Sequence, residues 1–422
     1  MHTHTVWRNL TVLFGSHLTG LAASLLTVPW LARTLRPDAW GQVLLAQALA
    51  AWLVMVIEYA FDLSAARRIA DARRRAATPE TTPGPTIPTI VADATSARLM
   101  LAAGAVVVWG LAYGYLPALR ADWRLATAAL IHLLARGLTP LWYFLGTERM
   151  SRAVTIDTVG KVITAAAMVA VVRAPQHGWR VLTVQAAGAL VVWLLTHRLL
   201  RRECPAAPLS WRGGLRTLQD GLALFVARAS GALYMQLNGV LIGLVAAPAA
   251  VAMFGGAERV VRAGVGLLEP LTRGLVARLR VLREQDGGAA DRLTRQLIVW
   301  LAVGATLAAA VVVGWAGMIV RVLLGPEYEA AAPVLQRLAP LLPIIAVGTA
   351  LGMFAAVPRG HDRVLLLATG AGGVTNLVLA LPLATRFGAQ GMAVSVVLAE
   401  TVVVGILAVW YLRQPPRGAV RS

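Results

Sequence analysis

Apolar stretches of about 20 residues recur along almost the whole 422-residue chain and are separated by short polar segments. A helix of that length spans the roughly 30 Å hydrocarbon core of a bilayer. Hydrophobic residues make up 58% of the chain and charged residues 14%, whereas soluble domains contain about 45–50% and about 25%. The sequence therefore predicts an all-α polytopic membrane protein.

Twelve transmembrane helices are predicted from these stretches. They cover residues 9–32, 39–62, 91–117, 122–145, 153–172, 181–198, 217–245, 249–277, 297–323, 330–357, 364–385 and 388–412. The first stretch is too long for the apolar region of a signal peptide and lacks a cleavage site of small residues, so we expect it to be retained.

The net charge of +19 would suit a nucleic-acid partner, but its distribution indicates membrane topology instead. With loops assigned alternately to two sides, about 23 Lys and Arg fall on one side, about 7 on the other and about 9 within spans, and the richer side is cytoplasmic. We predict no nucleic-acid partner, a bacterial cytoplasmic (inner) membrane location and both termini in the cytoplasm. The richer side includes Arg67, Arg68, Arg73, Arg74, Arg75, Arg198, Arg201, Arg202, Arg278, Arg280, Arg283, Arg413, Arg417 and Arg421.

The chain resembles itself at an offset of about 211 residues. Residues 24–75 and residues 235–285 each predict a long helix, a turn at Pro37 or Pro248, a second helix and a basic segment. Such repeats characterise secondary transporters, whose substrate site lies at the repeat interface. We predict two six-helix lobes, 1–210 and 211–422, around a central cavity. The longest loop, 63–90, is expected to be a solvated connector.

Five charged residues interrupt the eighth span, although a charge at the bilayer centre costs about 2.5–3.5 kcal/mol. They are Glu258, Arg259, Arg262, Glu269 and Arg273. On a continuous helix all except Arg259 share one narrow face. This face either lines a water-filled lumen, or it contains a Glu258–Arg262 ion pair at i,i+4 with Arg273 extended to the cytoplasmic edge.

Other spans place cations at a similar depth. Arg136, Lys161 and Arg262 each lie about 12–14 residues from a turn, near the middle of the membrane. We predict that they line one aqueous cavity that attracts an anion, although each alone is compatible with a structural ion pair. Arginine suits phosphate because its planar fork offers several donors. The predicted substrate-binding set is Arg136, Lys161, Arg228, Glu258, Arg259, Arg262 and Arg273.

Carboxylates in the second and twelfth spans are candidates for binding a coupling ion, H⁺ or Na⁺. They are Glu58, Asp62 and Glu400. The alternative is that they only balance the charge of neighbouring cations.

Motifs for common chemistries are missing from the sequence. It contains no G-x-x-x-x-G-K-[ST], no H-E-x-x-H and no G-x-S-x-G, and its histidines show no metal-binding spacing. The single cysteine, Cys204, excludes an intramolecular disulfide. The predicted outward loops are too short to hold the acceptor of a glycan polymerase or ligase. We therefore predict a protein that is not an enzyme, with no catalytic residues, metal or cofactor.

Four stretches, in this order, resemble one family. They are VPWLARTLRPDAWGQVLLAQALAAWLVMVIEYAFDLSAARRIA (28–70), LTPLWYFLGTERMSRAV (138–154), MFGGAERVVRAGVGLLEPLTRGL (253–275) and LLGPEYEAAAPVLQRLAPLLPI (323–344). Together they resemble the Wzx-type polysaccharide repeat-unit flippases of the multidrug/oligosaccharidyl-lipid/polysaccharide exporter superfamily, whose drug transporters are the MATE proteins.

This resemblance implies a MATE-like fold and alternating access. It implies as substrate an undecaprenyl-pyrophosphate-linked oligosaccharide, flipped from the inner to the outer leaflet. The implied partners are membrane lipids, a coupling H⁺ or Na⁺ and the glycan polymerase. Two alternatives stay open. A cation-coupled multidrug antiporter of the same superfamily would be expected to have a negatively charged lumen, and a membrane glycosyltransferase, polymerase or ligase would need larger outward loops.

Overall fold

The computed structural model describes residues 2–76, 84–266 and 268–414. Throughout these ranges the regular elements are helices and no strand occurs, so the predicted all-α fold is confirmed. By length and composition, eight helical segments there can cross a membrane. The last, Asp362–Leu412, has 51 residues, about 75 Å of helix, which is enough for two crossings. The total of twelve stays a prediction.

Among the residues that the structure describes, those up to Val245 form nine α-helices. They are α1 (His2–Glu58), α2 (Ser64–Ala76), α3 (Ile87–Tyr115), α4 (Pro117–Arg120), α5 (Trp123–Gly137), α6 (Leu141–Gly146), α7 (Met150–Val171), α8 (Gly178–Glu203) and α9 (Trp211–Val245), with a 3₁₀ turn at Pro175–His177.

In the described part that follows, seven further α-helices occur, and shorter turns connect some of them. The helices are α10 (Pro248–Gly266), α11 (Leu268–Gln285), α12 (Gly287–Gly314), α13 (Ala316–Leu323), α14 (Ala332–Leu338), α15 (Leu341–Thr349) and α16 (Asp362–Leu412). The connecting turns are 3₁₀ at Pro326–Ala331, π-helical at Ala350–Ala356 and 3₁₀ at Val357–Arg359.

The chain divides into two compact units. One contains the residues up to Leu35 together with Gln42–Ala229, and the other contains Arg36–Gly41 and the residues from Ser230 onward. This division falls inside α9, and the turn at Arg36–Gly41 groups with the second unit. The two predicted six-helix lobes stay a prediction.

Two of the longest helices are interrupted where the sequence predicts a turn between spans. Arg36, with φ 63° and ψ 159°, breaks α1, and the following Pro37 disfavours helical backbone at the residue before it. Gly388, with φ 57° and ψ −132°, breaks α16, and glycine adopts such angles without strain from a Cβ. Each break separates two predicted spans.

Polar side chains fix the beginnings of several helices. Asp122 accepts hydrogen bonds from the backbone N–H groups of Arg124 and Leu125 and so caps α5. Asp286 caps α12 in the same way, by accepting from Ala289 N. These caps satisfy backbone donors that a helix leaves free at its start.

Large apolar side chains lie on the outside of the long helices. On α12, Trp300 is 74% exposed, Leu307 63% and Val311 54%. A water-facing surface of this kind would be strongly unfavourable, whereas lipid chains solvate it. The chain is a multi-pass membrane protein.

The predicted connector at 63–90 is wrong at both ends, because Ser64–Ala76 is the helix α2 and α3 already begins at Ile87. Ala65, Ala66, Ile69 and Ala72 of α2 are buried on one of its faces. All except Ala66 belong to a core that also contains Phe61, Ile90, Trp142, Phe144 and Leu200. The Pro/Thr-rich stretch that follows lies mostly outside the described residues.

Candidate functional site

Three charged side chains of the first unit form one cluster. Arg136 Nη1 donates to Asp157 Oδ1 at 2.5 Å, and Lys161 Nζ lies 2.7 Å from Asp157 Oδ2. The Asp157 side chain is 8% exposed, whereas Arg136 is 27% and Lys161 45% exposed. We call Arg136, Asp157 and Lys161 the Asp157 cluster. In this cluster one buried carboxylate is bound to two more accessible cations. With all three groups ionised, the cluster carries a net charge of +1.

Helix geometry explains how the cluster assembles. Asp157 and Lys161 are four residues apart on α7, so they face the same side. Arg136 lies in the last turn of α5, where a cation also interacts favourably with the negative end of the helix dipole. Both helices belong to segments that are long and apolar enough to cross a membrane.

A break in the fourth predicted span lies immediately beyond Arg136. α5 ends at Gly137 and α6 begins at Leu141, which leaves backbone carbonyls without helical partners. Arg98 of α3 donates from Nη1 to Thr139 O at 3.0 Å and from Nη2 to Gly137 O. Arg98 is 4% exposed, so this buried guanidinium holds the break in place.

Further polar side chains of the first unit interact close to Arg136. Gln47 Nε2 of α1 donates to Gln185 Oε1 of α8 at 3.1 Å. His132, one turn before Arg136 on α5, contacts the backbone of Gln185. The first unit therefore gathers polar side chains from α1, α5, α7 and α8 within apolar helices.

The eighth predicted span contains the ion pair that was one of the two alternatives for its charges. Arg262 Nη2 donates to Glu258 Oε1 at 2.8 Å, one turn apart on α10, and the side chains are 39% and 16% exposed. The side chains of Glu269 and Arg273, like that of Arg228 on α9, lie outside the described part of the structure. The four-residue polar stripe and the roles of Arg228 and Arg273 stay predictions.

Arg259 of α10 packs against an aromatic ring. Its guanidinium carbon lies 5.0 Å from the ring centroid of Trp40, a fully buried side chain in the turn that groups with the second unit. The same turn is bound through Arg36 Nε, 3.1 Å from Glu327 Oε1. Arg259 therefore contributes a cation–π contact to this packing, and its predicted contact with substrate stays untested.

The carboxylates predicted to bind a coupling ion belong to both units. Glu58 is the exposed last residue of α1, and Asp62 lies half-buried in the turn that follows. Both interact electrostatically with Arg98, as the counter-charge alternative expects. Glu400 is buried on α16 in the second unit. The described residues contain no group of three or more His, Cys, Asp or Glu placed to hold a metal ion.

A buried chain of hydrogen bonds between uncharged side chains was not predicted from the sequence. In the second unit Asn376 Nδ2 donates to Asn238 Oδ1 at 2.7 Å, and Ser395 Oγ donates to Asn376 Oδ1 at 2.6 Å. All three residues are at most 1% exposed. They connect α9 with α16 on both sides of its break at Gly388. In the sequence, this hydrogen-bonded chain is visible only as polar residues within apolar stretches. Their spacing does not show which helices pack together.

A second carboxylate is likewise bound to two cations, which here are both arginines. Asp291 Oδ1 lies 2.6 Å from Arg283 Nη2 and 2.5 Å from Arg359 Nη2. The three side chains are 12–16% exposed, and Arg359 also lies over the Tyr411 ring. This group joins the ends of α11 and α12 to the turn at Val357–Arg359 that precedes α16, so its position favours a structural role.

Comparison with known sequences identifies relatives over most of the chain. The family described as "Polysaccharide biosynthesis protein" matches residues 6–276. A Shigella dysenteriae protein named "Putative O-antigen transporter" is 24% identical over 399 residues, which cover 94% of this chain and 98% of that protein. A protein of the same name from Escherichia coli K12 is 22% identical over 388 residues, 91% of each chain.

Solved structures show the same fold. The lipid II flippase MurJ in an inward closed conformation has a TM-score of 0.68 at 10% identity and covers 97% of this chain and 88% of its own. An inward-facing multidrug resistance MATE family transporter of the MOP superfamily has a TM-score of 0.61 at 15% identity, with 94% and 93% covered. The expected MATE-like fold class is confirmed.

Proposed function

The chain belongs to the polysaccharide biosynthesis protein family, and we propose from this membership that it is a flippase for a lipid-linked oligosaccharide. The observation that carries the proposal is the match over more than 90% of the chain to two proteins named as O-antigen transporters. The fold it shares with a lipid II flippase is consistent with this function.

In finer terms, the substrate is an oligosaccharide repeat unit on undecaprenyl pyrophosphate, carried from the inner to the outer leaflet of the bacterial cytoplasmic membrane. Two six-helix lobes alternate access to the two sides while the polyprenyl tail stays in lipid. Both termini lie in the cytoplasm, H⁺ or Na⁺ supplies the driving force, and the glycan polymerase receives the product. The protein transports its substrate without changing it chemically.

The Asp157 cluster binds the anionic head group in this scheme. Its net positive charge lies within apolar helices, where electrostatic attraction to a phosphate is weakly screened. Arg136 offers a planar set of donors suited to phosphate oxygens, and Lys161 adds a compact charge at 45% exposure. Glu258, Arg259, Arg262, Arg228 and Arg273 complete the proposed binding set.

Reconstitution of the purified protein tests the function directly. Liposomes would contain a fluorescent undecaprenyl-pyrophosphate-linked sugar, and an impermeant reducing agent would report how much fluorophore crosses to the outer leaflet. We expect rapid crossing with the wild-type protein and at least tenfold slower crossing with Arg136→Gln or Lys161→Gln. The matched control is Arg152→Gln, an exposed cation on the same helix as Lys161, which should retain wild-type rates. Crossing no faster than in protein-free liposomes would contradict the proposal.

A cation-coupled multidrug antiporter is the second candidate, because the MATE transporters share the fold. The Asp157 cluster argues against it, since a net positive charge repels cationic drugs. Drug susceptibility separates the two functions: deletion of the gene should remove surface glycan and leave susceptibility to cationic drugs unchanged. A membrane glycosyltransferase would instead elongate the lipid-linked sugar in the same liposomes.

A further inference from the structure

The two cations assigned to the head group are already bound to a carboxylate. Asp157 accepts from Arg136 through Oδ1 and from Lys161 through Oδ2, so each of its oxygens serves one cation. A phosphate and a carboxylate use the same kind of donor on arginine and lysine. The site therefore contains its own anion before substrate arrives.

We propose that Asp157 is an internal competitor of the substrate's phosphate groups for Arg136 and Lys161. This inference rests on the proposed function and deepens it. The phosphates approach from the accessible side, where Arg136 and Lys161 are 27% and 45% exposed. As they draw the two cations toward themselves, the contacts to Asp157 lengthen. After release the cations return to Asp157.

The burial of Asp157 makes this competition effective. Its side chain is only 8% exposed, so water cannot replace the contacts that it loses to substrate. A buried carboxylate without a cation is strongly unfavourable, and that penalty weakens the binding of the phosphates. A transporter benefits from weak binding, because the substrate has to leave on the opposite side of the membrane.

A purely structural role for Asp157 leads to different consequences. If the carboxylate only joins α5 to α7, its neutralisation should lower stability and should weaken both binding and transport. If it competes with substrate, neutralisation should tighten binding and slow release. Neutralisation of Asp157 therefore raises the affinity for substrate and lowers turnover only if Asp157 competes with the substrate.

The test compares Asp157→Asn with wild type. Binding of undecaprenyl pyrophosphate without sugar is measured by tryptophan fluorescence in lipid nanodiscs, and turnover is measured by the liposome assay. For Asp157→Asn we expect roughly tenfold tighter binding, in the range typical of coupled sites, and at least threefold slower turnover. Asp157→Glu keeps the charge and should retain weak binding. Asp220→Asn, which neutralises an exposed acid of α9, should match wild type in both assays.

Unchanged or weaker binding by folded Asp157→Asn overturns the competitor role. If that variant does not fold, the double variant Asp157→Asn with Lys161→Gln is compared with Lys161→Gln alone. Tighter binding by the double variant supports the proposal, and equal or weaker binding overturns it. The proposed function fails separately, when the wild-type protein itself neither binds undecaprenyl pyrophosphate nor moves the fluorescent lipid.

Discussion

Arg98 carries a full positive charge at a position that almost no solvent reaches. It stabilises the fold through hydrogen bonds to the backbone. Its guanidinium donates hydrogen bonds to two carbonyls at the break between α5 and α6. Inside the membrane, water cannot donate to these carbonyls instead. Arg136 lies one residue before the first of these carbonyls. The position of a proposed substrate-binding cation therefore depends on an arginine from another helix.

Substitution of Arg98 tests this dependence. Arg98→Met should destabilise the fold by about 2–4 kcal/mol, since each buried carbonyl left without a donor costs about 1–3 kcal/mol. The stability of Arg98→Lys should lie between those of Arg98→Met and wild type, because an ammonium group cannot reproduce the planar set of donors that binds both carbonyls. Thermal unfolding in detergent, monitored by tryptophan fluorescence, measures the order of stability of these proteins. Arg120→Met, at an exposed site, is the control, and an Arg98→Met protein as stable as this control would contradict the assigned role.

Spacing along a helix explains which contacts of the candidate site could be predicted. Asp157–Lys161 and Glu258–Arg262 are four residues apart, and helix geometry alone brings them together. The contact of Arg136 with Asp157 spans 21 residues, and that of Arg98 with Gly137 spans 39. Such contacts depend on how helices pack, and periodicity in one segment carries no information about that.

At the scale of helices, hydropathy predicts the long apolar elements and misses the short amphipathic one. The break of α16 at Gly388 falls where the sequence predicts the boundary of two spans. α2 is different, because its buried face is mostly alanine and its other face is rich in arginine. Averaged hydropathy therefore assigns it to a loop. The i,i+4 and i,i+3 spacing of Ala65, Ile69 and Ala72 is the signal that identifies it.

The turn at Arg36–Gly41 provides an element-scale prediction. A Cβ added at Gly41 would lie 1.8 Å from the backbone oxygen of Pro248, and a backbone atom cannot rotate away. Gly41→Ala should therefore destabilise the fold by about 1–3 kcal/mol through overpacking. The matched control is Gly104→Ala on α3, where an added Cβ meets nothing within 4 Å. It should be neutral or stabilising by up to about 1 kcal/mol. Equal unfolding temperatures for the two variants would contradict the close approach.

For the whole molecule, the distribution of Arg and Lys predicts an orientation that the helix assignments do not fix. A helix is equally compatible with either direction across the bilayer, so orientation depends on the loops. The short connection at 118–121, which contains most of α4, is predicted to face outward. The basic segment from Arg198 to Arg202 is predicted to face the cytoplasm.

The single cysteine makes this orientation directly testable. Cys204 is 7% exposed and lies just beyond the span ending at Glu203. Burial raises the pKa of its thiol, so little reactive thiolate is present at neutral pH. Its replacement in Cys204→Ala gives a chain free of cysteine, because the sequence contains no other.

On this background we introduce Arg120→Cys and Arg202→Cys separately, both at exposed positions. A membrane-impermeant maleimide is added to spheroplasts with an intact cytoplasmic membrane. We expect it to label the Arg120→Cys protein fully and the Arg202→Cys protein only after the membrane is permeabilised. The opposite pattern would invert the topology and place both termini outside. Labelling of both proteins in intact spheroplasts would mean that the two sites face the same side, which an odd number of crossings between them cannot produce.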